Sequence, residues 1–184
     1  MNIDSTLELI CEKIPSFSEF IRHVKFEYIS TDKFAGTLKK GLEKYLGGYN
    51  NIDAFFDESE FKIIYTENLF LNYSDDERAF VIAHEILHYI NHQRKSGNKI
   101  QNPDFWLINF VEDAQINQLL IKYGLTPPKG LVLLSDALNY ELIDLYNKLY
   151  PYVKELKKLT NNFDWTKNTS VEDLIQTRSV DYKR

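Results

Sequence analysis

The run Phe80-Val81-Ile82-Ala83-His84-Glu85-Ile86-Leu87-His88-Tyr89-Ile90 sets two histidines four residues apart, with a glutamate directly after the first. An α-helix turns by about 100° per residue, so His84 and His88 stand one turn apart on the same face. Two imidazoles in that relation can share one tetrahedral Zn²⁺, and Glu85 then stands beside the bound water as its general base. The competing reading is a buried helix whose histidines only hydrogen-bond. Only four histidines occur in the 184 residues, and a chance H-E-x-x-H in such a chain is expected well below ~1% of the time. The spacing therefore points to zinc.

Catalytic zinc usually has three protein ligands and leaves the fourth position to water. The candidates for the third are His92, Glu112 and Asp113. His92 lies eight residues beyond His84, roughly 12 Å along a straight helix, too far for all three histidines to meet one ion. It is read as an outer-shell neighbour or a half-exposed helix residue. On a second helix, Trp106, Asn109, Phe110, Ile116, Asn117 and Leu120 lie within about 60° of the Asp113 direction. Asp113 is thus expected near the centre of an inward face, where a carboxylate needs a cation or strong donors. Glu112, about 100° away, is expected at the edge of that stripe. The alternative for Asp113 is a salt bridge or a helix-to-helix hydrogen bond. Asn109 and Asn117 flank it by four residues on either side. Their amides either orient the carboxylate or an imidazole, or fill a polar gap between helices.

Several elements must position these residues. Ser74-Asp75-Asp76-Glu77 is a capping box, so the metal-binding helix is expected from about Asp75 to Gln93, before a Ser96-Gly97-Asn98 turn. The second helix is expected from an Asp104 N-cap through Tyr123, with Gly124 as the left-handed residue after it. Upstream, residues 5–14 have helical spacing up to Pro15, and Val24–Ser30 alternates like a strand. Phe34–Leu46 reads as a short helix stopped by Gly47-Gly48, residues 49–60 as a loop, and Phe61–Thr66 as a strand. Glu141–Leu156 has helical spacing divided by Pro151. The chain turns polar from Thr160, so residues 160–184 read as a C-terminal appendage, with one short helix in Ser170–Ile175, to a single domain over residues 1–159.

Composition narrows the class of function. Hydrophobic content of 43% with 14% aromatics supports a packed core, and the net charge of −5 with no long basic run gives no case for nucleic-acid binding. The single cysteine, Cys11, excludes an intrachain disulfide and zinc held by several cysteines of one chain. Met1–Ile10 does not read as a signal peptide, and no apolar stretch approaches the ~20 residues of a membrane span. A cytoplasmic, soluble protein is expected.

Taken together, Phe80–His92 (F-V-I-A-H-E-I-L-H-Y-I-N-H) and Asn109–Asn117 (N-F-V-E-D-A-Q-I-N) resemble a bacterial and phage family described as a putative metallopeptidase domain. In many members that domain precedes a von Willebrand factor A-like domain. The matching positions are His84, Glu85, His88 and His92, then Asn109, Asp113 and Asn117. Tyr65–Phe70 resembles the family's segment before the metal helix, and Tyr140–Tyr146 its short helix with a closing tyrosine. The likeness runs over roughly residues 15–150. With the sequence ending at Arg184 the further domain is not expected, and Gly36-Thr37-Leu38-Lys39 matches the family's upstream Thr-Asp-Gly feature poorly. The resemblance implies a zincin-like fold.

The expected protein is therefore α+β and mostly helical, with a metal-binding helix, a second ligand-bearing helix and a small sheet. The expected activity is zinc-dependent peptide-bond hydrolysis, with His84, His88 and Asp113 as ligands and Glu85 as the base. The substrate is a peptide or protein, and a further protein partner is unidentified. The strand Phe61–Thr66 is expected at a sheet edge, where an extended substrate pairs with it. Tyr89, His92, Tyr140 and Tyr146 are unranked candidates to stabilise the oxyanion. A rival class is a non-catalytic, zinc-stabilised interaction module, against which Glu85 argues, because structural zinc needs no base. A non-heme iron oxygenase uses the same donor set, but not usually from one H-E-x-x-H helix.

Overall fold

The computed structural model describes residues 3–30, 53–94, 103–159 and 169–179. Among these residues the chain is mostly helical with one three-stranded sheet, the expected α+β class. Helix α1 (Asp4–Lys13) gives way to a 3₁₀ turn at Pro15–Phe17 and then to α2 (Ser18–His23). The strands are β1 (Lys25–Tyr28), β2 (Ala54–Asp57) and β3 (Lys62–Tyr65). They are followed by α3 (Asn68–Asn72), α4 (Asp75–Arg94) and α5 (Phe105–Lys122). Helix α6 (Leu142–Leu149), a 3₁₀ turn at Tyr150–Tyr152, α7 (Val153–Leu159) and α8 (Val171–Ser179) complete the order. The helix expected over Phe34–Leu46, its Gly47-Gly48 stop and the Ser96–Asn98 turn lie outside the described residues.

Residue contacts divide the chain into two compact units, residues 1–98 with 120–128, and residues 99–119 with 129–184. In the first, the sheet order is β1-β3-β2, with β1 parallel and β2 antiparallel to β3. Two expectations are corrected here. The 49–60 stretch, read as loop, contains β2. Its two adjacent phenylalanines serve opposite faces: Phe55 packs with Ile29 and Ile64, while Phe56 stacks on Tyr89 of α4. The strand expected at the sheet edge, β3, is instead central and hydrogen-bonded on both sides, so it has no edge to offer a substrate. Ile63, Ile64 and Tyr65 are all buried, and a run apolar on both faces is the mark of an inner strand.

The Thr66 N–H donates to the Asp53 carbonyl at 3.0 Å, which fixes the alternation of the antiparallel pair. With Ala54 opposite Tyr65 and Phe56 opposite Ile63, Asp53, Phe55 and Asp57 turn their backbone groups toward β3. Ala54 and Phe56 turn theirs outward.

The start of α4 follows from the local sequence. Glu77 accepts from the Ser74 N–H at 2.9 Å while the Ser74 hydroxyl takes the Glu77 N–H at 3.4 Å, the reciprocal capping box. Just before it, the Tyr73 hydroxyl donates to Asp53 at 2.6 Å and so ties the entry of α4 to the start of β2. Burial raises the Asp53 carboxyl above its ordinary 3.8, against the lowering pull of that hydrogen bond. A raised folded-state pKa means that the group's stability contribution is fully present below the unfolded value. It is lost as pH rises through the folded one. Asp53→Asn removes the desolvated charge, so it should raise the melting temperature more at pH 7 than at pH 4. Thermal unfolding at the two pH values measures this, and an equal or larger gain at pH 4 would contradict it.

In the second unit, α5 begins at Asp104, whose carboxylate accepts from the Leu107 N–H at 3.1 Å and also holds Lys157 at 2.7 Å. Leu107, Val111, Leu145, Leu149, Val171 and Leu174 lie in its buried core. Gln115 clamps the 3₁₀ turn at Ala137–Asn139 by donating to the Ala137 and Tyr140 carbonyls. Ser170 caps α8 through the Asp173 N–H. Beyond the last turn of α5, Gly124 adopts φ +84°, and Leu125 N–H reaches the Leu120 carbonyl at 3.1 Å, the left-handed stop expected for a glycine there. No helix among the described residues is long and apolar enough to cross a membrane.

Candidate metal centre

The faces of α4 divide cleanly. Ala79, Phe80, Ile82, Ala83, Ile86 and Leu87 are buried, whereas Val81, His84, Glu85 and His88 are half-buried. Taking His84 as zero and 100° per residue, His88 lies at about 40°, Val81 at about 60° and Glu85 at about 100°. The chemistry-bearing side chains thus share one partly open face. Phe80 lies one turn before His84 and stacks alongside its ring, with 6.5 Å between centroids and 24° between planes.

The two imidazoles turn the same atom toward each other: His84 Nε2 and His88 Nε2 are 2.9 Å apart. A carboxylate oxygen of Asp113 joins them, and the three ligand atoms all lie within 4.8 Å of one another. This donor set fits a divalent ion of the zinc kind. A tetrahedral ion held at about 2.0–2.1 Å spaces two nitrogens by roughly 3.3 Å, a few tenths of an ångström from what is seen. The pairing also has a chemical sense. Two neutral imidazoles facing through Nε2 need either a proton between them or a cation to which both lone pairs point.

The surroundings of Asp113 differ from the sequence expectation. Glu112, expected at the edge of a stripe, is 0% exposed, and Asp113, expected at the centre of the inward face, is half-buried. The reason is that α5 has no single inward face. Leu107, Val111, Glu112, Ala114 and Leu120, which point in directions spread around the helix, are all 0% exposed. A helix enclosed on most sides has no stripe whose centre could be located.

The remaining predicted residues are dispersed. Asn117 is buried and its amide donates to the Val132 carbonyl at 2.9 Å, so it fills a polar gap against the segment following α5. Asn109 is half-buried, one turn before Asp113. The Tyr146 hydroxyl accepts from the Asp104 N–H at 3.0 Å. That bond sets it at the start of α5, nine residues or about 13 Å from Asp113 along the helix, and so away from that carboxylate. Tyr140 faces Lys148, and Tyr89 packs among phenylalanines. The His92 side chain lies outside the described residues. Sequence reasoning missed β2. The signal available was Ala54-Phe55-Phe56 and Phe61–Tyr65, two apolar runs separated by the polar Asp57–Glu60, the pattern of a hairpin.

Against this geometry, a family model described as a putative metallopeptidase domain matches residues 28–168. No curated protein and no solved structure matches the chain.

Proposed function

This chain belongs to the putative metallopeptidase domain family, and from that premise we propose that it is a zinc-dependent peptidase. The observation that carries the reading is the convergence of His84, His88 and Asp113, two imidazoles and a carboxylate, with Glu85 next to the first of them in sequence. His84 and His88 would hold Zn²⁺ through Nε2 and Asp113 through a carboxylate oxygen. When bound, Zn²⁺ supplies the positive charge that acidifies a water and polarises a carbonyl. Glu85 accepts the proton of the attacking water and then delivers it to the departing amine, a general-base and general-acid role for one carboxylate. Its half-buried position on the same partly open face suits that role, because it keeps the carboxylate within reach of substrate.

An extended substrate pairs by its backbone with a strand whose outer groups are available. Among the described residues no strand pairs with the outward N–H and C=O groups of Ala54 and Phe56 on β2, a strand that lies against α4, and the substrate is assigned to that edge.

The test is cleavage of a mixed peptide library by the zinc-loaded protein, read by mass spectrometry. Cleavage should appear, vanish on chelation and return with added Zn²⁺. A library left intact by zinc-loaded protein, or cleavage indifferent to chelation, would remove the proposal.

A further inference from the structure

Four aromatic rings in the first unit all touch one another: Phe20 of α2, Phe56 of β2, Phe61 of the β2–β3 hairpin and Tyr89 of α4. The six centroid separations run from 4.3 to 6.0 Å, the shortest being the stack of Phe56 on Tyr89. None of the four is fully buried. Rings serving only to fill a core are closed off, as Phe80 of the same helix is at 0% exposure.

Phe61 adds an independent observation. Its φ is +50°, and it is the only non-glycine residue in the left-handed region among the described residues. It closes the loop between the paired strands, where glycine is the ordinary occupant of such a conformation. A bulky aromatic held there against its backbone preference is a strained choice, and strain of this kind gathers where ligands bind. The backbone would favour glycine, so the feature that the position keeps is the ring.

The direction in which these rings face follows from the strand. A peptide hydrogen-bonded to the outward groups of Phe56 has one residue directly opposite it, with its side chain on the Phe56 face of the sheet. That face carries the quartet and lies against α4. On α4, Tyr89 is one turn beyond Glu85, so the two side chains are neighbours on the helix surface.

We propose that Phe20, Phe56, Phe61 and Tyr89 form the specificity surface of the enzyme. They select an extended peptide that places a large apolar side chain opposite Phe56. This rests on the peptidase reading and names its substrate class. A Phe or Leu side chain at that position loses its water against the rings, whereas Ala gains little and Asp is desolvated without a partner.

The test uses matched peptides carrying Phe, Leu, Ala or Asp at each position in turn. Binding is measured by fluorescence anisotropy to zinc-loaded Glu85→Gln protein, and cleavage is measured with the otherwise native chain. One position should prefer Phe or Leu over Ala by about tenfold or more, in affinity and in kcat/KM. Phe61→Gly, whose glycine suits φ +50° and so preserves the hairpin, should bring that preference close to parity, as should Phe56→Ala. Equal binding of Phe and Ala peptides, or a preference intact in both variants, overturns the inference. A preference in binding without any cleavage upholds the surface and removes the peptidase. Cleavage without an apolar preference does the reverse, and the absence of both binding and cleavage removes both.

Discussion

Glu85→Gln is expected to reduce peptide hydrolysis by about 10²–10⁴-fold, the usual contribution of a positioned acid–base group, while zinc content and melting temperature stay near those of the native chain. The substitution keeps the size and the hydrogen-bonding shape of the side chain and removes its basicity. Glu85 is half-buried on a helix whose packing is carried by Ala79, Phe80, Ile82, Ala83, Ile86 and Leu87, so its loss leaves the core untouched. It is also outside the converging His84, His88 and Asp113 group, so the metal has no reason to leave. Three measurements on one preparation decide the matter: turnover of a cleaved peptide, zinc by elemental analysis, and thermal unfolding. Turnover that survives unchanged would show that another group moves the proton. A variant that loses zinc together with activity would instead make Glu85 part of the metal's support. The result also separates an enzyme from a zinc-stabilised interaction module, since a module would bind the same zinc and show no turnover for Glu85→Gln to remove.

What could be read from the sequence was what is decided locally. The capping box at Ser74 and Glu77, the i, i+4 histidines and the Asp104 and Gly124 boundaries are each written within a few residues. The helices α4 and α5 start and stop close to where those signals place them. Sheet order was less accessible, because it depends on which strands pair across distant parts of the chain. Ile63, Ile64 and Tyr65 nevertheless carried a usable hint, since three successive apolar residues leave no polar face for an edge. The misplacement of Glu112 has a different cause. Helical periodicity locates a carboxylate relative to one packed face, and α5 is packed on several. Leu107 and Val111, on the side away from Asp113, are as closed as Leu120 on its own side. The rings of Phe20, Phe56, Phe61 and Tyr89 come from four elements, and only the folded chain brings them together.

The last expectation turns on two adjacent carboxylates with opposite surroundings. Asp113→Asn should lower zinc affinity by more than the roughly 10–100-fold that loss of an outer-shell partner costs, because it removes a ligand and the negative charge that balances the ion. Glu112→Gln should leave zinc bound and lower thermal stability instead. Glu112 is wholly enclosed, and a buried carboxylate takes part in interactions that a neutral amide reproduces poorly, a loss on the order of 1–3 kcal/mol. His84→Ala and His88→Ala set the scale for complete loss of the site. His92→Ala should keep the metal, since eight residues of helix separate it from His84 by about 12 Å. Zinc titration against a competing chelator, with melting temperatures of the same samples, reads both axes at once. The pattern that would defeat the assignment is loss of zinc from Glu112→Gln or His92→Ala while Asp113→Asn binds normally. The ion would then be held by residues other than the three that converge, and the half-buried position of Asp113 would need another cause.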